Sequence, residues 1–167
     1  DLRLCLFIGL NNTLGLQPIA EHATADVKAR LLPRLVTGAE FAGFAFMEPG
    51  GGNSASTFTA LARADVAGRW RLFGTKCLHG QSQRATVVNV FVRHEDSPAV
   101  SAFVLAEDAS GLHIADDGFR VGVVAGLAQD TVVLDGVLVE ARQLLGNAGA
   151  GMDVARQAML QTRLAVA

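Results

Sequence analysis

The feature that most constrains the fold is a change in the period of the apolar residues after Gly38. Beyond it, seven short runs of apolar and β-branched residues alternate with Gly, Asp, Ser or Pro, a pattern typical of strands joined by turns. Seven strands so close together indicate a barrel or a sandwich, and we predict an antiparallel β-barrel. The segment 64–72 predicts a hairpin, because Asp65 to Gly68 provide turn-forming residues. The predicted strands are 41–46, 58–64, 70–75, 86–93, 100–106, 112–114 and 131–138.

Helical patterns lie on both sides of the predicted strands. The segment 2–16 is apolar on more than one face, as in a buried helix. A second helix is expected to start at Thr24, with Pro33 and Gly38 marking its end. From Asn147 onward, glycines lead into a new amphipathic helix. We therefore predict an α+β fold in three parts, 1–39, 40–146 and 147–167, with the barrel in the middle part.

Both ends of the sequence lead us to expect a fragment. The first residue is Asp1 rather than Met. At the other end, the pattern of 155–167 is that of a helix still in progress, with no capping Gly or polar stop.

Composition and charge exclude several classes of partner. Fourteen Lys and Arg against sixteen Asp and Glu give no broad cationic field, so we expect no nucleic-acid binding. The apolar stretch 4–16 is too short to span a bilayer and is interrupted by polar residues, so we expect no membrane segment. Cys5 and Cys77 could form only one disulfide, which favours free thiols and a cytoplasmic protein.

The most distinctive local feature is the segment Glu48-Pro49-Gly50-Gly51-Gly52-Asn53-Ser54, directly after a predicted strand. Consecutive glycines can adopt positive φ and bring backbone N–H groups close to a ligand. A flexible surface loop is an equally good interpretation of the composition alone. A P-loop or Rossmann nucleotide site is not supported, because neither sequence motif is present.

The order and spacing of five sequence blocks resemble the acyl-CoA dehydrogenase family over essentially the whole chain. Members typically show Leu-Pro in a helix, Thr-Glu-Pro-Gly-x-Gly-Ser after a strand, a Gly-x-Lys strand, a late Val-x-Val-Pro and then Leu-Leu-Gly. The resemblance implies the end of an N-terminal helical domain, a complete middle domain and the first helix of a C-terminal helical domain. The corresponding blocks are 30–38, 44–52, 70–76, 132–139 and 144–151.

The resemblance implies that the middle part binds FAD. Backbone N–H groups of 44–53 would serve the polar edge of the flavin ring, and 78–80 would form a second flavin-facing stretch. A flavin needs such donors because negative charge develops on the ring during reduction. The implied cofactor-binding residues are Phe44, Phe46, Met47, Gly52, Asn53, Leu78, His79 and Gly80.

Several residues depart from the family pattern in these same stretches. Met47 stands where a Thr that donates to the flavin is usual, and Leu78 replaces a Trp. Loss of an aromatic cover removes roughly 0.5–1.5 kcal/mol of stacking beyond burial. His79 could donate to the flavin or act as an acid or base, although a solvated or capped side chain is the more common role of such a residue.

The resemblance also implies substrate contacts. Arg163 corresponds to an arginine near the bound substrate in many members, and Asn53 is the second implied substrate-binding residue. The acidic residue often found three positions before that arginine is Leu160 here. No catalytic base is visible: the usual glutamate would lie beyond residue 167, and a minority carry it at the position of Thr162. Glu48 corresponds to a structural glutamate and is not assigned to catalysis.

Three functions are compatible with this pattern. The first is FAD-dependent oxidation of the Cα–Cβ bond of an acyl-CoA thioester, with hydride transfer to the flavin and electron-transfer flavoprotein as the acceptor. The second is an oxidase or monooxygenase of the same fold, with oxygen as the acceptor. The third is a non-catalytic scaffold. For the full-length protein the resemblance implies a homo-oligomer, a dimer or tetramer, whereas the fragment itself is expected to be inactive.

Overall fold

The computed structural model describes residues 2–50, 54–79, 85–120 and 128–166. The predicted order of helices, strands and a last helix is confirmed. The helices are α1 (Leu2–Leu10), α2 (Gln17–His22), α3 (Ala25–Val36) and α4 (Gly151–Val166), with a π-helix (Asn11–Leu16) between α1 and α2. The strands are β1 (Phe41–Ala45), β2 (Leu61–Ala64), β3 (Trp70–His79), β4 (Ala85–His94), β5 (Val100–Ala106), β6 (Leu112–Arg120) and β7 (Ala128–Val139). Within these ranges, no helix combines the length and hydropathy needed to cross a lipid bilayer.

The seven strands form one mixed sheet. β1 and β2 each lie between β3 and β4, and each pairs with both of these strands. The sheet continues from β3 to β7 and β6, while β5 pairs with β4. Both β1 and β2 run parallel to β4, so the predicted antiparallel arrangement is wrong. Alternating polarity reports the faces of a strand and not its direction, and the parallel pairs were therefore invisible in the sequence.

Closure of the sheet into a barrel is not confirmed. Across the described ranges, β5 and β6 are the two ends of the strand order and do not pair with each other. The coarser prediction, a mixed α+β fold with helices before and after a sheet, agrees with the structure.

The predicted hairpin between 64 and 72 is confirmed. Ala64 of β2 lies opposite Trp70 of β3 in an antiparallel ladder. The Asp65 carboxylate accepts a hydrogen bond from the Val66 N–H at 2.8 Å, and Gly68 turns the chain with φ near +70°. Asp65 and Gly68 thus form the turn that their residue types predicted.

Apolar residues fill both faces of the sheet. In β4, Val88 and Val90 belong to one buried cluster, whereas Val87 and Phe91 belong to another that also contains Ile19 of α2. A strand that is buried on both faces needs covering layers on both sides. Residues of α2, α3 and α4 supply the cover on one side, and this packing positions α4 beside the end of β1.

The π-helix docks on the sheet through two buried asparagines. Nδ2 of Asn89, a residue of β4, donates to the carbonyl oxygens of Leu14 at 3.1 Å and Gly15 at 2.7 Å. In return, Oδ1 of Asn11 accepts a hydrogen bond from the Ala42 N–H at 3.2 Å. A π-turn displaces backbone groups from the regular α-helical ladder, and Asn89 satisfies two carbonyl oxygens of this segment. The helix predicted over 2–16 is therefore helical throughout but changes type at Asn11.

The third helix begins where the sequence predicted and ends later than Pro33. Thr24 is its N-cap, and its hydroxyl accepts from the Val27 N–H at 3.4 Å. Pro33 lies inside the helix, which continues to Val36. Beyond that end, Gly38 has φ near +71° and donates its N–H to the Leu35 carbonyl. Gly38, and not Pro33, is the effective stop signal.

Candidate functional site

A cleft opens between the end of β1 and one face of α4. It has a volume of about 190 Å³ and is called the β1–α4 cleft below. Phe46, the residue that follows β1, forms its wall on the sheet side. The other lining residues lie on α4 at helical spacing, and they are Met152, Ala155, Arg156, Met159, Leu160 and Arg163.

The start of α4 is fixed against β5 by close packing and by a polar junction. A Cβ at Gly151 would lie 2.7 Å from the carbonyl carbon of Ser101, so a larger residue would force the helix away. The Ser101 hydroxyl accepts from the Gly149 N–H at 2.8 Å and lies 2.7 Å from Nε2 of His94. Burial lowers the pKa of His94, which favours a neutral ring that accepts the hydroxyl proton. These contacts set the position of the α4 side of the cleft.

The rim of the cleft carries two guanidinium groups. Arg156 is paired with Asp153 at 2.7 Å, and both side chains are exposed. Arg163 is also exposed, and it has no hydrogen bond or ion pair with any residue of the described ranges. Leu160, one turn before it, is half exposed and cannot neutralise it. The unpaired positive charge at this rim can therefore bind an anionic group.

The sheet side of the cleft is an aromatic cluster. The Phe46 ring meets Phe58 edge-on at 5.0 Å between centroids and Phe91 at 5.4 Å. Phe44 lies 4.7 Å from Phe91 and is stacked on Phe46 at 6.0 Å. Phe44, Phe46, Phe58 and Phe91 are each at most 4% exposed. The wall is thus rigid and apolar.

A buried ion pair lies behind this wall. Glu48 Oε1 and Lys76 Nζ are 2.9 Å apart. The Glu48 carboxylate also accepts from the backbone N–H groups of Thr59 at 2.8 Å and Ala60 at 2.9 Å, and from the Thr59 hydroxyl. Although burial alone would raise it, these hydrogen bonds and the one from Lys76 hold the pKa of Glu48 below its ordinary value. Burial lowers the pKa of Lys76 to about 8, against the opposing influence of Glu48.

A larger depression lies on the far side of Phe58. It is open, has a volume of about 580 Å³ and is lined mainly by polar residues around Arg93 and Glu95. Glu95 is held by Arg63 through bonds of 2.8 and 3.0 Å. None of the residues predicted to bind cofactor or substrate lines this depression, and the β1–α4 cleft is the better candidate site.

Comparison with known proteins agrees with the resemblance in the sequence. No family model matches the chain. The mitochondrial short-chain specific acyl-CoA dehydrogenase of Bos taurus is 28% identical over 97% of this chain and 40% of its own length. The acryloyl-CoA reductase (NADH) of Anaerotignum propionicum is 30% identical over 90% of this chain and 39% of its own. The chain thus spans about 40% of the length of these two curated relatives.

Solved structures give the same result for the fold. An acyl-CoA dehydrogenase from Bacillus anthracis, solved as a complex with FAD, matches 94% of this chain with a TM-score of 0.84 and 28% identity, over 27% of its own length. This chain is a divergent relative of the acyl-CoA dehydrogenases. The similarity in sequence and in fold extends from the first helices through the sheet to α4.

The structure brings together two of the residues that the resemblance to acyl-CoA dehydrogenases implied. Phe46 and Arg163 line opposite sides of the β1–α4 cleft. Met47 is half-buried, and its carbonyl accepts from the Cys77 N–H at 2.8 Å. The side chains of Phe44 and Leu78 are 2% and 0% exposed and belong to the buried clusters, so only their backbone is available to a ligand.

The other implied residues lie wholly or partly outside the described residues. Gly52, Asn53 and Gly80 are not described, and the same holds for the side chain of His79. The backbone of His79 pairs with Phe44 at the end of β3. The flavin contacts of all the implied residues, described or not, stay predictions.

Sequence reasoning missed most of the α4 lining and the partners of Lys76. Arg156, Met152 and Met159 follow the same spacing of three and four residues that places Arg163 on the cleft face, and that periodicity could have identified them. A lysine within the apolar strand 70–79 was itself a signal, because lysine is almost never fully buried unless it is paired. Its partner Glu48 lies on a different strand end, beyond the range of local patterns.

Proposed function

We propose that the full-length protein is an FAD-dependent oxidoreductase of the acyl-CoA dehydrogenase type, which oxidises the Cα–Cβ bond of an acyl-CoA thioester. The observation that carries the proposal is the β1–α4 cleft, with an aromatic wall at Phe46 and, at its rim, Arg163, a cation without a partner among the described residues. The cleft occurs in a chain that is similar to acyl-CoA dehydrogenases over nearly its whole length. The activity of the whole protein rests on parts outside this chain as well.

The chemistry of the cleft fits a flavin cofactor. Met47, the half-buried residue that follows Phe46, offers an apolar side chain, and Arg163 supplies positive charge at the rim of the cleft. The nearby carboxylate of Glu48 is neutralised by Lys76 and by three further hydrogen bonds, so it does not repel an anionic cofactor. When bound, FAD supplies the hydride acceptor.

The residues of this chain would position the substrate and leave proton removal to another group. Arg163 would bind an anionic or carbonyl oxygen of the thioester ligand, while Met159 and Leu160 exclude water from the reacting carbons. No carboxylate occurs among the seven residues that line the cleft. The proposal therefore assigns the catalytic base, the group that takes the α-proton, to a part of the protein outside the cleft lining described here.

The partners of the full-length protein follow from the same proposal. Electrons would leave through an electron-transfer flavoprotein or oxygen, and the assembly would be a homo-dimer or homo-tetramer. A cytoplasmic location stays a prediction of the free cysteines; several of the relatives are mitochondrial by name.

A specific observation favours the alternative of a non-catalytic scaffold. The side chain of Leu78 is completely buried, so it cannot replace an aromatic cover on a flavin, and Met47 has no hydroxyl to donate. A flavin site in this chain would therefore lack two contacts that the family pattern supplies, the aromatic cover at residue 78 and the hydroxyl donor at residue 47. An oxidase of the same fold differs from a dehydrogenase only in the reaction of its reduced flavin with oxygen.

A visible absorption spectrum separates these functions. The full-length protein is purified with added FAD and desalted, and the proposal expects a retained flavin band. After photoreduction, slow reoxidation in air supports a dehydrogenase and rapid reoxidation an oxidase. A folded protein that retains no flavin would leave only the scaffold.

A further inference from the structure

Lys76 is the largest fully buried side chain of the described part, and it is charged. Its exposed fraction is 0%. Within β3 its backbone neighbour across the ladder is Val132, an apolar residue. Burial of an ammonium group costs several kcal/mol, so the contacts that surround this group have to be strong.

Three groups surround the ammonium: two belong to the chain just after β1, and the third, Phe58, belongs to the segment before β2. Nζ lies 2.9 Å from Glu48 Oε1 and donates to the Phe46 carbonyl oxygen at 3.0 Å. It also lies 3.2 Å from the centroid of the Phe58 ring, a cation–π contact. Phe58 in turn packs edge-on against the ring of Phe46. Lys76 therefore holds both the backbone and, through Phe58, the side chain of the residue that forms the cleft wall.

The ion pair also fixes the chain after the wall. Glu48 accepts from Thr59 and Ala60, which precede β2, and the Cys77 N–H donates to the Met47 carbonyl at 2.8 Å. The backbone from Phe46 to Glu48 is thus tied to β3 and to the segment before β2. The glycine-rich segment starts immediately after these anchored residues.

We propose that Lys76 is a positioning residue of the cofactor site: the ammonium holds Phe46 to Glu48 in the conformation that takes the flavin and balances the charge of Glu48. The proposal rests on the proposed function, since it needs FAD as the ligand. It assigns no contact between Lys76 and the cofactor, because the side chain lies behind the wall.

The charge balance gives the proposal a pH signature. The titratable groups that act on Lys76 in the described ranges are Glu48, on the strand end beside it, and Cys77, its neighbour in β3. With the pKa of Lys76 lowered to about 8, the ammonium loses its proton between pH 7 and 9. Glu48 then stays behind as an uncompensated negative charge next to the site of an anionic cofactor, which should weaken FAD binding.

The test is FAD affinity, measured by fluorescence titration of the full-length protein. The single variant K76M leaves Glu48 buried without its cation and is expected to fold poorly. The double variant E48Q/K76M removes both charges and keeps an amide oxygen for the Thr59 and Ala60 donors. We expect it to fold and to bind FAD about tenfold or more weakly, because Phe46 to Glu48 lose their anchor on β3. Its affinity should be constant from pH 7 to 9.

The controls are chosen from the same chain. K28M removes the other lysine, whose ammonium donates to the Glu21 carbonyl at the surface, and should keep wild-type affinity. C77S should keep the fall in affinity between pH 7 and 9. Wild-type affinity and wild-type pH dependence in E48Q/K76M would overturn the positioning role. If the double variant does not fold, the wild-type protein still provides the test. A wild-type FAD affinity that stays constant from pH 7 to 9 would overturn the positioning role. A wild-type protein that binds no FAD would refute the proposed function instead.

Discussion

The hydroxyl oxygens of Thr13 and Thr162 lie 2.7 Å apart and join the π-helix to α4. Thr162 directly precedes Arg163, the cation at the rim of the cleft, and it also donates to the Ala158 carbonyl one turn earlier. The segment that docks on β4 through Asn89 is therefore linked by side chains to the helix that lines the cleft.

Replacing either threonine should weaken this link. We expect T13V and T162V each to lower the free energy of unfolding by about 1 kcal/mol, because valine keeps the shape of the side chain and removes one net hydrogen bond. The measurement is a double-mutant cycle by denaturant unfolding. The T13V/T162V protein should lose less than the sum of the single variants, and strict additivity would show that the hydroxyl contact contributes nothing.

The π-helix should depend on Asn89. The N89A variant leaves the buried carbonyl oxygens of Leu14 and Gly15 without their donor, for which we expect a loss of about 2 kcal/mol in unfolding free energy. N12A is the matched control, since Asn12 lies in the same π-helix and is exposed. Its effect should stay within about 0.5 kcal/mol. Equal effects of the two variants would contradict the docking role.

Alkaline pH should stabilise the flavin-free protein through Lys76. Burial lowers the pKa of this group from 10.5 to about 8, so between these values the unfolded chain binds more protons than the folded one. Stability therefore rises with pH across this window. The unfolding free energies of wild type and E48Q/K76M are compared from pH 7.5 to 10.5. As the pH rises, the unfolding free energy of wild type should increase relative to that of the double variant. A shift in the opposite direction would contradict the burial of a charged Lys76.

Arg163 should act on ligand binding and not on stability. Because its guanidinium is exposed and unpaired in the described ranges, R163Q should change the unfolding free energy by less than about 0.5 kcal/mol. The same variant should weaken the binding of an acyl-CoA about tenfold through loss of a charged hydrogen bond. R30Q, an exposed arginine of α3, serves as the control in calorimetric titrations. An unchanged affinity in R163Q would remove Arg163 from the site.

Much of the fold could be predicted because local chemistry determines it. Thr24 caps a helix, and Asp65 to Gly68 form a turn, through contacts with residues at most three positions away. Each strand starts within about three residues of its predicted start, since apolar runs and turn residues act locally, but β3 and β6 continue well past their predicted ends, to His79 and Arg120. Pro33 misled the prediction because a helix can continue through a proline when tertiary packing, here through buried Leu35, stabilises its last turn.

The remaining features depend on contacts between distant residues. In the sequence, Asn89 is one polar residue in an apolar strand, and nothing nearby indicates its role. Its partners, the carbonyl oxygens of Leu14 and Gly15, are distant in sequence and meet it only in the folded chain. The parallel pairing of β1 with β4 and the Glu48–Lys76 ion pair are likewise properties of the assembled sheet. Resemblance identified Phe46 and Arg163, but only the structure could place them in one cleft with the methionines of α4.

The most direct test of the account is an anaerobic titration of the full-length, FAD-loaded protein with acyl-CoA thioesters, followed by visible absorption. We predict that the oxidised flavin band bleaches and that an enoyl-CoA product forms in equal amount, with R163Q requiring about tenfold more ligand. A flavin band that stays unchanged with acyl-CoA of short, medium and long chains would contradict it.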